Sequence, residues 1–207
     1  MPIETEQAWK QLQARAGVVL ASTAVLVIFT MAHHPTGHGD GAPFSLANIV
    51  HAVMVVLLLA QFWALSIFSL ARPGCGWALG GWIVYGASVF AHLIAGTVNG
   101  FIVPALAARG DLPHEVFAVM WAVNQGFANL GIQLTGLGFA LWSVSLLKGA
   151  GWPGRVTGLA GLVAAIVPSA LLLSGTISLN VAGAFVAYGL HAAWLILLGL
   201  MMWQRRT

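Results

Sequence analysis

The chain has 207 residues, of which 59% are hydrophobic and only 6% charged, where an ordinary soluble domain carries about 25% Asp, Glu, Lys and Arg. Eight Lys and Arg with five Asp and Glu cannot coat a globule of this length in water, so a soluble enzyme, a nucleic-acid reader and a disordered tail are excluded and the solvent is a bilayer. The net charge of +3 is made of dispersed single residues, a pattern that orients a protein in a membrane rather than one that binds phosphate.

Residues 1–15 are polar, with Glu4, Glu6, Lys10 and Arg15, and the apolar run behind them ends in Ala32-His33-His34-Pro35. No small-x-small cleavage pattern follows, so this run is expected to stay as a helix rather than leave as a signal peptide. Six apolar stretches reach the ~20 residues needed to cross ~30 Å of hydrocarbon, at 14–32, 45–71, 77–104, 115–147, 152–174 and 179–203. Pro- and Gly-rich breaks separate them, among them Arg72-Pro73-Gly74-Cys75-Gly76 and Lys148 to Pro153. Alternating segments of barrel type are lacking, which leaves helices. Cys75 is the single cysteine and makes neither an internal disulfide nor a cysteine zinc site.

Basic residues fall unequally on alternate sides of these helices. Lys10, Arg15, Arg72, Lys148, Arg155, Arg205 and Arg206 share one side and Arg109 stands alone on the other, which by the positive-inside rule puts both termini in the cytoplasm. The expectation is an all-α integral membrane protein, multi-pass in the cell's inner (cytoplasmic) membrane: a six-transmembrane-helix bundle, N-in and C-in, with 1–207 as one domain. A weak hairpin repeat relates helices two and three to four and five. Ala64 to Arg72 aligns with Ala140 to Lys148, Pro73 is the gap, and the register pairs Asn48 with Asn124. A polar start and a basic end on each out-to-in helix account for the same likeness.

All seven histidines fall in the outer loops, the outer half or the midplane of this arrangement. His92 on helix three and His191 on helix six lie about 16 to 18 Å below the outer helix ends at ~1.5 Å per residue, a matched depth at which two imidazoles can share a ligand. Tyr85, Ser88, His92 and Asn99 form one stripe on helix three. Helix four carries Asn124, Gln125, Asn129 and Gln133, and helix six carries Asn180, Tyr188 and His191. Polar side chains in lipid are costly and face a bundle interior, so one polar core is expected.

That core suggests three kinds of chemistry. Neutral imidazole ligates iron, so a haem b or transition-metal site for electron transfer would use His92 and His191 as axial ligands, with Tyr85, Tyr188 and Asn99 around the cofactor. Gly86, Gly96, Gly100, Gly183 and Gly189 would make room for the macrocycle. Alternatively Asn124, Gln125, Asn129 and Gln133 bind a small solute or pass a proton in a transporter, or the histidines are structural glue in an accessory subunit of a larger complex. A separate metal set is the first outer loop, His33, His34, His38 and Asp40, completed by His51, His114 or Glu115. The same loop read as a polar lid needs no metal.

Other membrane chemistries fail on placement. Ser143 and Ser145 sit at the inner end of helix four, roughly 20 Å or more from His191 by helical rise, so a serine nucleophile has no base. The only lysines, Lys10 and Lys148, are at inner helix ends, which excludes a retinal Schiff base. Nine tryptophans read as an interfacial belt, and Pro168 is expected to kink helix five. The expected partners are the lipid bilayer, no nucleic acid, and a second copy of the chain or a larger membrane complex.

Overall fold

In hydrocarbon a backbone has no water to bond, so each apolar stretch closes its hydrogen bonds on itself as a helix. The computed structural model describes residues 3–33, 46–72, 74–149 and 151–204, the side chains of residues 3–5 excepted. Six helices are long and apolar enough to cross a membrane. They are α1 (Ile3–Ala32), α2 (Leu46–Leu70), α3 (Gly76–Ala107), α4 (His114–Gly149), α5 (Trp152–Leu173) and α6 (Val181–Gln204). No strand occurs among the described residues.

Helix α1 starts well before the apolar run because its polar first turns are helical too, with an exposed Glu6–Lys10 pair at 3.0 Å. Its 30 residues span about 45 Å, longer than ~30 Å of hydrocarbon, so one end extends past the apolar layer. The helices alternate in direction. The ends near Ala32, Leu46, Ala107, His114, Leu173 and Val181 form what we term the upper end; the lower end carries Arg72, Lys148 and Arg155. Gly74 and Gly175 turn the chain with φ of 80° and 71°, a left-handed conformation that glycine adopts without a Cβ clash.

Each helix packs against its neighbours in sequence, and α6 returns to α1, so the six close into a ring. Glycines set the closest seams. A Cβ on Gly17 of α1 would lie 2.5 Å from the Gly199 carbonyl of α6. On α4, Gly136 meets the Ala165 carbonyl of α5, and Gly138 meets the Gly81 carbonyl of α3. Small residues are what let helices approach where lipid offers no hydrophobic drive to associate.

A six-helix ring is wider than ordinary side chains fill, and its two halves solve this differently. In the lower half Phe68, Phe139, Trp142, Trp194, Leu146 and Leu198 are fully buried, with the Phe139 and Trp194 rings 4.1 Å apart. Trp142 donates to Ser69 Oγ at 2.9 Å and to the Ala78 carbonyl at 3.1 Å, and Trp194 to the Thr157 carbonyl at 2.9 Å. These two tryptophans are therefore core anchors, whereas Trp63, Trp77, Trp121, Trp152 and Trp203 are exposed. In the upper half the walls carry Ala47, Ala95, Gly96, Ala128 and Ala184, and a cavity remains.

The outside of the ring is apolar. Phe29, Val56, Ile83, Phe90 and Leu173 all exceed 60% exposure, which places the chain in a lipid bilayer.

Candidate functional site: a polar cavity in the upper half of the ring

The cavity holds about 350 Å³ and is walled by α1, α2, α3, α4 and α6, with no described residue from α5. Val27 and Met31 come from α1, and His51, Met54, Leu58 and Gln61 form a stripe on α2 at i, i+3, i+7 and i+10. Tyr85, His92 and Asn99 face it from α3, Asn124, Gln125 and Thr135 from α4, and Tyr188 and His191 from α6. No charged side chain among the described residues lines it. It reaches the surface beside Trp121 and Asn180, both exposed. There Asn180 caps α6 by accepting from the Gly183 N–H at 2.9 Å, and Gln125 donates across to the Leu179 carbonyl at 3.3 Å.

Three imidazoles line the cavity, and two of them are held through Nδ1 by a backbone carbonyl. His51 Nδ1 lies 2.7 Å from the Ala47 oxygen and His92 Nδ1 2.9 Å from the Ser88 oxygen. A carbonyl only accepts, so Nδ1 carries the proton and Nε2 keeps a lone pair. His51 Nε2 accepts from Asn99 Nδ2 at 3.1 Å. The backbone of Ala164 on α5 hydrogen-bonds the His191 ring. Pro168 lies four residues further along and has no N–H for that carbonyl, so the proline leaves it free to hold the imidazole. His92 Nε2 and His191 Nε2 are buried and have no hydrogen-bond partner among the described residues.

The same proline logic shapes α3. Val98–Ile102 forms a π turn, and Pro104 has no N–H for the Gly100 carbonyl, which instead accepts from Asn48 Nδ2 at 2.6 Å. Gly100 also seats the His51 ring, and Gly131 of α4 seats the His92 ring, since a Cβ at Gly131 would lie 2.5 Å from His92 Cε1. Ser88 donates to the Gly131 carbonyl at 2.8 Å, which leaves Thr135 to donate to Ser88 Oγ at 2.6 Å. The His92 seat is thus built by α3 and α4 together.

The other sequence-selected residues divide. Tyr85 is buried among Phe62, Phe139 and Trp142, and the Tyr188 ring lies 5.6 Å from His92. Phe139 meets His191 edge-on at 5.1 Å. Asn124 lines the cavity, whereas Asn48 donates to the Gly100 carbonyl in the π turn. Asn129 and Gln133 do not line the cavity; Gln133 Nε2 donates to Asn129 Oδ1 at 3.2 Å along their own helix. Gln61 and Thr135 line it without having been singled out from the sequence. For Gln61 the signal was there: it is the one amide in the apolar centre of α2, on the stripe of His51.

The outer-loop metal set is only partly visible. His34, His38 and Asp40 lie outside the described residues. His33 is exposed at the end of α1 and donates to the Phe29 carbonyl at 2.9 Å. His114 and Glu115 are exposed at the start of α4, while His51 is buried with both ring nitrogens engaged. Among the described residues no three His, Cys, Asp or Glu converge as a metal site. The glycines expected to admit a macrocycle serve otherwise: Gly100 seats His51, Gly183 abuts the Ser178 carbonyl, Gly86 abuts Phe62, and Gly189 has open space beside it. Only Gly96 lines the cavity. Compared with protein-family models, curated proteins and solved structures, the chain matches none.

Proposed function

We propose that the protein binds a small, uncharged, largely apolar molecule in this cavity, as the substrate site of a small-solute carrier. The carrying observation is the cavity itself, enclosed by apolar side chains with a few polar ones, His92 and His191 among them, and with no charged lining residue among those described. A cavity of about 350 Å³ falls at the small end of the range for ligand sites, which are mostly apolar with a few fixed polar groups. A charged ligand would have to shed its hydration with no opposite charge to meet it. The seven-to-one distribution of basic residues supports an N-in, C-in orientation, in which the cavity opens to the outer side. A reporter fused after Arg206 is expected on the cytoplasmic side, and an external reading would reverse the direction of access.

The same two histidines favour a second reading, a haem b or transition-metal site for electron transfer. His92 and His191 would be the axial ligands, and bound iron would supply one-electron chemistry. The donor atoms fit; their surroundings do not. Four of the five glycines expected to make room are elsewhere engaged or face away, and no cation lines the cavity to meet propionates among the described residues. A bare ion would have two protein ligands where zinc-type sites use three or four.

Two measurements test the reading. The detergent-purified protein is expected to show no Soret band, and phenol is expected to raise its melting temperature. Ala128→Phe, which fills the cavity, is expected to abolish the phenol effect. A reducible Soret band would replace the solute reading with the haem one, and phenol stabilisation surviving in Ala128→Phe would move the ligand out of the cavity.

A further inference from the structure

We infer that the outward face of α4 is where a second copy of this chain docks, the Asn129 and Gln133 amides of the two copies bonding to each other across a two-fold axis. The basis is a pair of amides at a depth where lipid has nothing to offer them. α4 is 36 residues long and α3 is 32, so their midpoints fall beside Gly131 and His92, the two residues in contact at the His92 seat. Two helices thus share one central level, and Asn129 and Gln133 lie within about 4 Å of it at ~1.5 Å per residue. Hydrocarbon at that level holds neither donors nor acceptors, and polar side chains in a span turn to protein for them. These two do not line the cavity. Gln133 Nε2 donates to Asn129 Oδ1 at 3.2 Å, their one bond among the described residues. Asn129 Nδ2 and Gln133 Oε1 are left over, and neither is enclosed by the protein, so they open to the outside of the ring.

The face around them fits a helix. Ala122, Gly126, Asn129, Gln133 and Leu137 recur at intervals of 4, 3, 4 and 4 residues, the spacing along which two membrane helices meet. Ala122, Gly126 and Leu137 are exposed, and nothing stands within 4 Å of a Cβ at Gly126, so another backbone can come close there. The amides choose the occupant. A carboxamide carries both donor and acceptor and is therefore complementary to itself. Copies inserted in one orientation are related by a two-fold axis along the membrane normal, which brings each residue of the stripe to its counterpart at the same height. Asn129 Nδ2 then donates to the second lone pair of Asn129 Oδ1 in the other copy, and symmetry supplies the return bond. Gln133 pairs likewise through its spare N–H and Oε1. A lipid tail meets none of these atoms, and a foreign partner would need matching amides at both levels.

The test is association of the intact chain in phosphatidylcholine vesicles, read as energy transfer between copies that carry donor and acceptor fluorescent proteins after residue 207. Raising the lipid-to-protein ratio is expected to reduce transfer along a monomer–dimer curve. In Asn129→Leu/Gln133→Leu the ratio at half-dissociation is expected to fall at least about ten-fold. Gly126→Leu, whose added side chain starts in open space on its own chain, is expected to do the same by holding the helices apart. Melting in detergent, where copies are diluted apart, is expected to be unchanged and so to report each variant as folded; either suffices if the other is not. In a Cys75→Ser chain, Ala122→Cys is expected to oxidise to a covalent dimer and Ser22→Cys, exposed on α1 across the ring, to remain monomeric. Wild-type transfer no greater than chance proximity gives would leave the face to lipid or to a different protein and overturn the inference. A dimer that dissociates at the same ratio in the folded variants, or that cross-links as fast through Ser22→Cys, overturns it as well.

Discussion

Gly17→Ala tests whether the ring is closed as described, because α1 and α6 touch there backbone to backbone. A Cβ at residue 17 would lie 2.5 Å from the Gly199 oxygen, 2.8 Å from Met202 Cβ and 2.8 Å from the Trp203 nitrogen. None of these is the free end of a flexible side chain. Reaching the 3.4 Å of ordinary contact requires the helices to part by about 0.9 Å, in a seam that buries Ala16, Leu20, Leu198 and Met202. Overpacking of this kind costs about 1–3 kcal/mol, offset by at most about 1 kcal/mol of helix propensity in replacing Gly by Ala. A net loss of about 1–2 kcal/mol is expected in detergent unfolding followed by circular dichroism. Gly126→Ala is the control: nothing lies within 4 Å of its Cβ position, so it should be neutral or gain up to about 1 kcal/mol. Equal stability of the two variants would refute backbone contact between α1 and α6. Gly199→Ala probes the same contact from the other side, so the double variant should lose less than the sum of the singles.

Three further outcomes follow from local chemistry. Asn48→Ala leaves the Gly100 carbonyl without its side-chain donor and should destabilise by about 1–3 kcal/mol; in a Pro104→Ala background, where a backbone N–H is restored, the penalty should shrink, and an equal penalty in both would detach Asn48 from the proline. Asn129→Leu should change unfolding by no more than about 0.5 kcal/mol, since its bond to Gln133 runs along one helix; a larger loss would place it in a contact between helices. The Ser145 hydroxyl, 3.2 Å from Cys75 Sγ, holds the thiol below its ordinary value. Ionised thiol is the reactive form, so the pH midpoint for Cys75 alkylation should lie below that of a free cysteine and rise in Ser145→Ala; an unmoved midpoint would remove Ser145 as the cause.

Composition and periodicity were enough to settle the solvent and the helices, because lipid leaves a chain almost no other way to satisfy its backbone. The stretches at 45–71 and 152–174 became α2 and α5 within a residue at either end. The polar start of α1 escaped hydropathy because a helix that leaves the apolar layer needs no apolar residues. The stripe on α3 was legible too, since 3.6-residue periodicity places Tyr85, His92 and Asn99 on one face whatever that face meets.

What the facing partners would be was not legible. Asn129 and Gln133 share a helix with Asn124, and only packing turned Asn124 toward the cavity and the other two away. Gly100, read as room for a cofactor, turned out to seat His51, because a missing Cβ is filled by whichever neighbour the ring brings up; Gly131 seats His92 in the same way, and the two are 39 residues apart in the chain. The partner of His191 was likewise beyond the sequence. Pro168 frees a carbonyl wherever it stands, but only the closure of α5 against α6 sets His191 beside it. Hydropathy is a property of single segments and survives without tertiary structure. The partner of His191 is an atom from another helix, and only the folded ring supplies it.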